Sequence, residues 1–183
     1  MIVLLYYYIK GASYLKKTVL ITKSSQGLGP KIAETLVSKG RNVIIQYNYK
    51  QEQANALVEK LGNHKAIAVQ ANPEKSKDVD ILIKLATKHF GQIDAVITNN
   101  LITSENKILL SEDLIAIDLV TKQLMKQFIQ QQGIRANSIS SNLTEECLIK
   151  STTTRQNITD IVAFLISDHA INITGKNINI KES

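Results

Sequence analysis

Cysteine, tryptophan and proline are scarce in this chain of 183 residues, which has one cysteine, no tryptophan and two prolines. The single Cys147 excludes an intramolecular disulfide and is typical of a reducing compartment, so we expect a cytoplasmic protein. With only two prolines and eight glycines, the chain has no proline- or glycine-rich linker that would divide it into domains. We therefore predict a single domain over residues 16–183, preceded by an N-terminal extension at residues 1–15.

Long hydrophobic runs are also missing. The apolar run near the N-terminus covers residues 2–9, whereas a helix needs about 20 residues to cross a bilayer. No basic segment precedes this run, so it does not resemble a signal peptide. The sequence predicts no membrane partner.

Tyrosine and acidic residues are unevenly distributed. All six tyrosines lie before position 50, so the later part of the chain lacks a phenol that could transfer a proton.

The net charge of +6 and the lysines that precede the first acid, Glu34, raise nucleic acid as a partner. No recognition motif accompanies them and later charges mix in sign, so ordinary solubility explains the charge better.

What the chain does contain is an alternation of helical and β-branched segments. Apolar residues at helical spacing predict helices near residues 51–61, 79–90, 110–131 and 157–167. Short β-branched runs separate these helices, and this order is typical of a parallel sheet with helices on both faces. We predict an α/β fold with a doubly wound parallel sheet in three layers, α/β/α.

Residues 17–45 predict a strand, a tight glycine turn, a helix and a second strand. Residues 19–21 form a buried strand, and Gly27 and Gly29 follow at the start of the next helix. Gly27 permits a positive φ, Gly29 permits close packing, and the helix N-terminus favours a pyrophosphate. Pro30 fits the first helical turn. Because glycine also marks ordinary turns, a sharp connection without a ligand is the competing interpretation.

Five landmarks in order resemble the short-chain dehydrogenase/reductase family, with the bacterial 3-oxoacyl-acyl-carrier-protein reductases the most similar. The landmarks are the TGxxxGxG-like residues 22–29, the pair 71–72 after the third strand, residues 95–101 where the family has a strand ending in NNAG, residues 133–140 resembling the sixth strand, and residues 164–175 resembling the last helix and turn. The resemblance implies a Rossmann-like fold with strand order 3-2-1-4-5-6-7. Only about ten residues separate Asn100 from Leu110, so about one strand and one helix are missing relative to the family.

The resemblance also implies a set of cofactor-binding residues. They are Thr22, Ser24, Gln26, Gly27, Leu28, Gly29, Asn72 and Asn99. The alternative for Asn72 and Asn99 is a polar cap at a strand end. Lys23 replaces the first glycine of the family turn and Leu101 replaces the glycine of NNAG, so the pocket departs from the pattern at several positions.

The catalytic positions of the family are lost. Alignment to the family places Leu110 at the tyrosine and Leu114 at the lysine of YxxxK, and the strand that carries the serine is absent. Leucine cannot transfer a proton, so we assign no catalytic residue and expect standard hydride transfer to be lost. The alternatives are a reductase that uses another acid and a non-catalytic nucleotide-binding or interaction protein.

The cofactor prediction follows from the end of the second strand. Residues 46–50 contain no carboxylate that could accept hydrogen bonds from an adenosine ribose, which favours NADP over NAD if either still binds. The three histidines lack metal-ligand spacing, so no metal site is predicted. The sequence does not decide whether the protein forms a homo-oligomer. The resemblance implies a dimer interface built from the missing helix and the helix of the YxxxK positions, and both differ from the family here.

Overall fold

The computed structural model describes residues 17–73, 75–101, 135–141 and 152–180. Several predictions from the sequence lie outside these residues: the extension at 1–15, the helix at 110–131, and Leu110, Leu114 and Cys147. The described residues form one sheet with helices on both of its faces.

Six parallel strands form the sheet. They are β1 (Thr18–Thr22), β2 (Asn42–Tyr47), β3 (Ala66–Gln70), β4 (Ala95–Leu101), β5 (Arg135–Ser141) and β6 (Asn177–Ile180). The spatial order is β3-β2-β1-β4-β5-β6, and every neighbouring pair is parallel. The doubly wound sheet predicted from the sequence is confirmed. β5, which corresponds to the sixth strand of the family in the alignment, pairs directly with β4.

Four α-helices lie in the described part of the chain. They are α1 (Gly29–Ser38), α2 (Gln51–Leu61), α3 (Ser76–Phe90) and α4 (Thr152–Leu165), and a short 3-10 helix, Asp168–Ala170, follows α4. The sequence placed α3 at 79–90 and α4 at 157–167, so both helices begin earlier than predicted. Their first turns are polar, and a pattern of apolar spacing cannot detect a polar turn.

The two faces of the sheet have separate cores. Val19 and Ile21 point to the face covered by α1, α2 and α4, whereas Leu20 points to the face covered by α3. Successive side chains of β1 point to opposite faces of the sheet, and helices cover both faces. All residues of β1 are therefore buried. The result is the α/β/α layering that the sequence predicts.

The position of β1 determines where a ligand can bind. The chain runs outward from β1 through β2 to β3, and β4 then pairs on the opposite side of β1. At such a reversal, the loops beyond the carboxyl ends of the strands diverge and leave a crevice. Among the described residues, no helix has the length and apolar character needed to span a membrane.

Two leucines on α3 provide a matched test of this packing. Leu82 is 1% exposed and contacts the sheet core, whereas Leu85, less than one turn later, is 46% exposed. We expect Leu82→Ala to lower the free energy of unfolding by about 3 kcal/mol, because it removes buried methyl groups and leaves a cavity. Leu85→Ala should cost less than about 1 kcal/mol. Urea denaturation of both variants tests this, and equal losses would contradict the assigned orientation of α3.

Candidate functional site

The turn between β1 and α1 contains two residues with positive φ. Gly27 has φ 60°, as the glycine pattern predicts. Lys23 has φ 48° and is the one non-glycine residue in the described part of the chain with positive φ. A side chain costs about 1–2 kcal/mol in this left-handed region. The backbone therefore keeps a glycine-like bend although the sequence has a lysine there.

Gly29 brings the start of α1 against the turn. A Cβ atom at Gly29 would lie 2.4 Å from Cα and 2.5 Å from the carbonyl oxygen of Ser24. Both atoms belong to the backbone and cannot rotate away, so only glycine fits at this position. The close contact fixes the distance between the turn and the N-terminus of α1.

The side chains of the turn divide into an inner and an outer set. Ser24 is fully buried, and its hydroxyl donates to the carbonyl oxygen of Ile21 at 2.9 Å. Leu28 is also buried, so only its backbone could contact a ligand. Gln26 and Gly27 are exposed. Of the predicted residues in this turn, Gln26 and Gly27 therefore form its outer surface.

Gln46 connects the turn to the ends of two strands. Its side chain is 0% exposed, although it lies in a strand of mostly apolar residues. Oε1 accepts the backbone N–H of Lys23 at 2.8 Å. Nε2 donates to the carbonyl oxygen of Ala71 at 2.7 Å and to Oδ1 of Asn48 at 2.9 Å. Both ends of this buried amide are thus satisfied.

A pocket of about 320 Å³ opens beside these strand ends. Its lining residues are Asn48, Tyr49, Gln70, Ala71, Asn72, Lys75, Asp78 and Ile81. The loop between β3 and α3 forms one wall and is held by Asp78, whose Oδ2 accepts the backbone N–H of Asn72 at 2.9 Å. The backbone N–H of Lys75 donates to the carbonyl oxygen of Asn72 at 3.0 Å. The pocket is polar and lies at the carboxyl edge of the sheet.

The remaining predicted residues occupy the same edge. Thr22 is the last residue of β1 and is buried, Asn72 is half-buried in the pocket wall, and Asn99 lies in β4 opposite Ile139. The side chain of Asn99 lies outside the described residues. The assignment of these residues to a cofactor stays a prediction.

The sequence interpretation missed four residues of this edge: Gln46, Asn48, Lys75 and Asp78. A signal for Gln46 was present, because a glutamine inside a buried strand requires polar partners. The partners themselves are backbone groups distant in sequence, which no local pattern identifies. Within the described segments, no three His, Cys, Asp or Glu side chains lie close enough to hold a metal ion.

Lys23→Gly tests the strained backbone of the turn. The variant should raise the free energy of unfolding by about 1 kcal/mol, because glycine adopts positive φ without a steric penalty. The control is Lys39→Gly at the end of α1, where φ is −86°. That variant should lose stability, because glycine there adds only unfolded-state entropy. Chemical denaturation measures both, and a loss in each variant would contradict the strain.

Gly29→Ala tests the contact between α1 and the turn. Since its Cβ would overlap the Ser24 backbone, we expect the free energy of unfolding to fall by about 3 kcal/mol. Gly40→Ala is the control, because φ is +77° there but no atom lies within 4 Å of the added Cβ. It should cost only about 1 kcal/mol. Thermal and urea unfolding distinguish the two, and equal costs would contradict the close packing.

Comparisons with known proteins agree with this geometry. The family model for short chain dehydrogenases matches residues 17–146. A 3-oxoacyl-[acyl-carrier-protein] reductase of Staphylococcus epidermidis is 34% identical over 97 residues, which cover 52% of this chain and 40% of the relative. The corresponding reductase of Synechocystis is 30% identical over 137 residues, covering 68% of this chain and 56% of that protein.

A solved structure extends the comparison of the fold. A Serratia marcescens short-chain dehydrogenase/reductase, solved as a double mutant, superposes with a TM-score of 0.66 at 16% identity, and the match covers 91% of this chain and 97% of that one. The chain spans 40% and 56% of the length of these two curated relatives. The family match over residues 17–146, together with the parallel sheet and its glycine turn, shows that this chain belongs to the short-chain dehydrogenase family.

Proposed function

We propose that this protein binds a nicotinamide nucleotide, NADP in preference to NAD, and has lost the standard hydride-transfer chemistry of its family. The observation that carries the proposal is the turn between β1 and α1. Its positive φ at Gly27 and its close contact at Gly29 bring the N-terminus of α1 to the carboxyl edge of the sheet. This arrangement is the one that dinucleotide-binding folds use for the pyrophosphate.

The chemistry of this helix terminus fits an anion. No side chain caps the N-terminus of α1, and its first turn contains no acidic residue. The backbone N–H of Gly29 donates to the carbonyl oxygen of Gln26 at 3.1 Å and Pro30 has no N–H, so the positive end of the helix dipole is what favours negative charge here. In the proposed complex, Gln26, Gly27 and the backbone of Leu28 would contact the pyrophosphate. In family members that keep catalysis such a nucleotide supplies or accepts the hydride, a step that we propose is lost here.

The pocket beyond β2 and β3 fits the adenosine end of the same nucleotide. Asn72 lies in its wall and has an amide that can bond to an adenine edge. The single acid among the lining residues, Asp78, already accepts the backbone N–H of Asn72. The loop after β2 offers Asn48 instead of a carboxylate, which supports NADP.

The proposed loss of catalysis rests on the sequence. A carbonyl reductase needs a group that protonates the substrate oxygen as hydride arrives. The tyrosine and lysine positions of the family are occupied by Leu110 and Leu114, and the serine-bearing strand is missing. Two relatives of this chain are 3-oxoacyl-acyl-carrier-protein reductases by name. We propose that this protein retains their nucleotide-binding half without their acid.

The compartment and assembly proposals rest on composition and on the family resemblance. We propose a cytoplasmic location, which the single cysteine supports because it is typical of a reducing compartment. A homo-oligomer is a proposal that the family resemblance supports, and size-exclusion chromatography with light scattering measures it directly.

Fluorescence titration with NADPH tests the binding proposal. We expect saturable binding by the wild-type protein and at least a tenfold loss in Gly27→Val, because a β-branched residue is strongly disfavoured at positive φ. Gly91→Val is the control: Gly91 also has positive φ, 83°, but lies before β4 at the opposite edge. The control should bind like the wild type. Absence of NADPH and NADH binding in a folded wild-type sample would contradict the proposal.

NADPH oxidation with a β-ketoacyl thioester tests the proposed loss of catalysis. Absorbance at the nicotinamide band should fall no faster with the protein than without it, since no tyrosine acid is positioned for the carbonyl. A family reductase with intact YxxxK serves as the positive control. Turnover above the blank would support the alternative, a reductase with another acid.

A further inference from the structure

We infer that Gln46 compensates for the glycine missing from the turn after β1, because its buried amide holds Lys23 at positive φ and so keeps the turn in its nucleotide-binding shape. Gln46 is thus a positioning residue, which no glycine motif identifies. The inference rests on the proposed function for its binding readout. It concerns the backbone of the turn and makes no use of the adenosine pocket.

The backbone conformation of Lys23 needs such support. Its φ is 48°, and it is the one non-glycine residue with positive φ in the described ranges of the chain. In the left-handed region Cβ lies too close to the following carbonyl oxygen, which lowers the population of this region about tenfold. Glycine has no Cβ and adopts positive and negative φ about equally. A lysine at this position therefore requires an interaction that holds it there.

Gln46 provides one interaction on each side of the Lys23 Cα atom. Its Oε1 accepts the backbone N–H of Lys23 at 2.8 Å. Its backbone carbonyl oxygen accepts the N–H of Ser24, the next residue, at 3.1 Å. The only soft torsions between these two N–H groups are φ and ψ of Lys23. Neither torsion can change greatly without breaking one of the two bonds.

The side chain of Gln46 is held in one orientation by a contact outside the turn. It is 0% exposed, and its Nε2 donates to the carbonyl oxygen of Ala71 at 2.7 Å. A carbonyl can only accept and a backbone N–H can only donate, so the amide nitrogen must face Ala71 and the amide oxygen must face Lys23. The end of β3 therefore directs the acceptor at the turn.

The conformation of Lys23 determines how the turn meets α1. Lys23 directly follows β1, and the backbone of the next residue, Ser24, lies so close to Gly29 that a Cβ there would be 2.4 Å from the Ser24 Cα. A change of φ at Lys23 would move Ser24 away from this contact and shift the exposed Gln26 and Gly27. If only the positive-φ turn binds the nucleotide, affinity falls in proportion to its population.

NADPH titration of the wild type, Gln46→Met and two double variants tests the inference. Gln46→Met fills the same space without an acceptor for the Lys23 N–H, so affinity should fall about tenfold. Adding Lys23→Gly to Gln46→Met should return affinity to within about threefold of the wild type, because glycine adopts positive φ unaided. Adding Lys23→Ala also removes the ammonium group but keeps Cβ, so this variant should stay as weak as Gln46→Met.

The controls separate backbone conformation from other effects. Lys39 has φ −86° at the end of α1, so Lys39→Gly in the Gln46→Met background should give no recovery. Gln46 also bonds to Ala71 and Asn48, and if loss of those bonds weakened binding, Lys23→Gly would not restore it. The inference is overturned if the glycine double variant binds less than about threefold more tightly than the alanine one.

Hydrogen exchange of the wild type tests the same bond without a variant, which decides the matter if Gln46→Met does not fold. The Lys23 amide should exchange slowly, because its acceptor is fully buried. The amide of Gly27, in the exposed part of the turn, should exchange rapidly. Equally rapid exchange at both positions would overturn the inference.

The outcomes separate the inference from the proposed function. If the wild type binds NADPH but Lys23→Gly gives no recovery, the inference fails and the proposed function stands. If the wild type binds neither NADPH nor NADH, the proposed function fails, and urea unfolding still tests the inference. Lys23→Gly should then stabilise Gln46→Met less than the wild type, because Lys23 has already left positive φ there. Equal gains in both backgrounds would overturn it.

Discussion

The buried amide of Gln46 is the interaction on which the carboxyl edge of this sheet depends. It joins the turn after β1, the loop after β2 and the end of β3 through Lys23, Asn48 and Ala71. Together the bonds satisfy both ends of the fully buried Gln46 amide, and leaving a buried polar group without a partner costs about 1–3 kcal/mol. The three segments are distant in sequence but are held as one unit. Any ligand at this edge therefore meets a preformed surface.

The turn beside this unit keeps a backbone conformation that glycine normally adopts, although the residue there is a lysine. Lys23 stands where the family has glycine, yet it adopts φ 48°. The bond from its N–H to Gln46 helps to hold this conformation, which side chains normally avoid. In the proposed function, nucleotide binding depends on residues near the first two strands and carbonyl chemistry on residues after β4. The structure describes the first set, whereas in the alignment to the family Leu110 and Leu114 stand at two positions of the second set.

The sequence predicts more of the fold than of the site. The parallel sheet and the positive φ of Gly27 follow from apolar spacing and glycine position, because these signals are local. The order of the strands is implied by the family resemblance alone. The polar first turns of α3 and α4 carry no such signal, so both helices were predicted too short. Gln46 was noticed only as part of a strand end without a carboxylate. Its role depends on backbone groups at Lys23 and Ala71, and such contacts between distant segments appear only when the sheet is assembled.

Backbone amide chemical shifts recorded during NADPH addition measure the central claim most directly, because they locate the nucleotide as well as detect it. We expect shifts at Gly27 and Leu28 in the turn and at Asn48 and Asn72 in the pocket. Amides at the opposite edge, such as Gly91, should not move. Shifts confined to the opposite edge, or none at saturating nucleotide, would contradict the assignment of this edge as a nucleotide site.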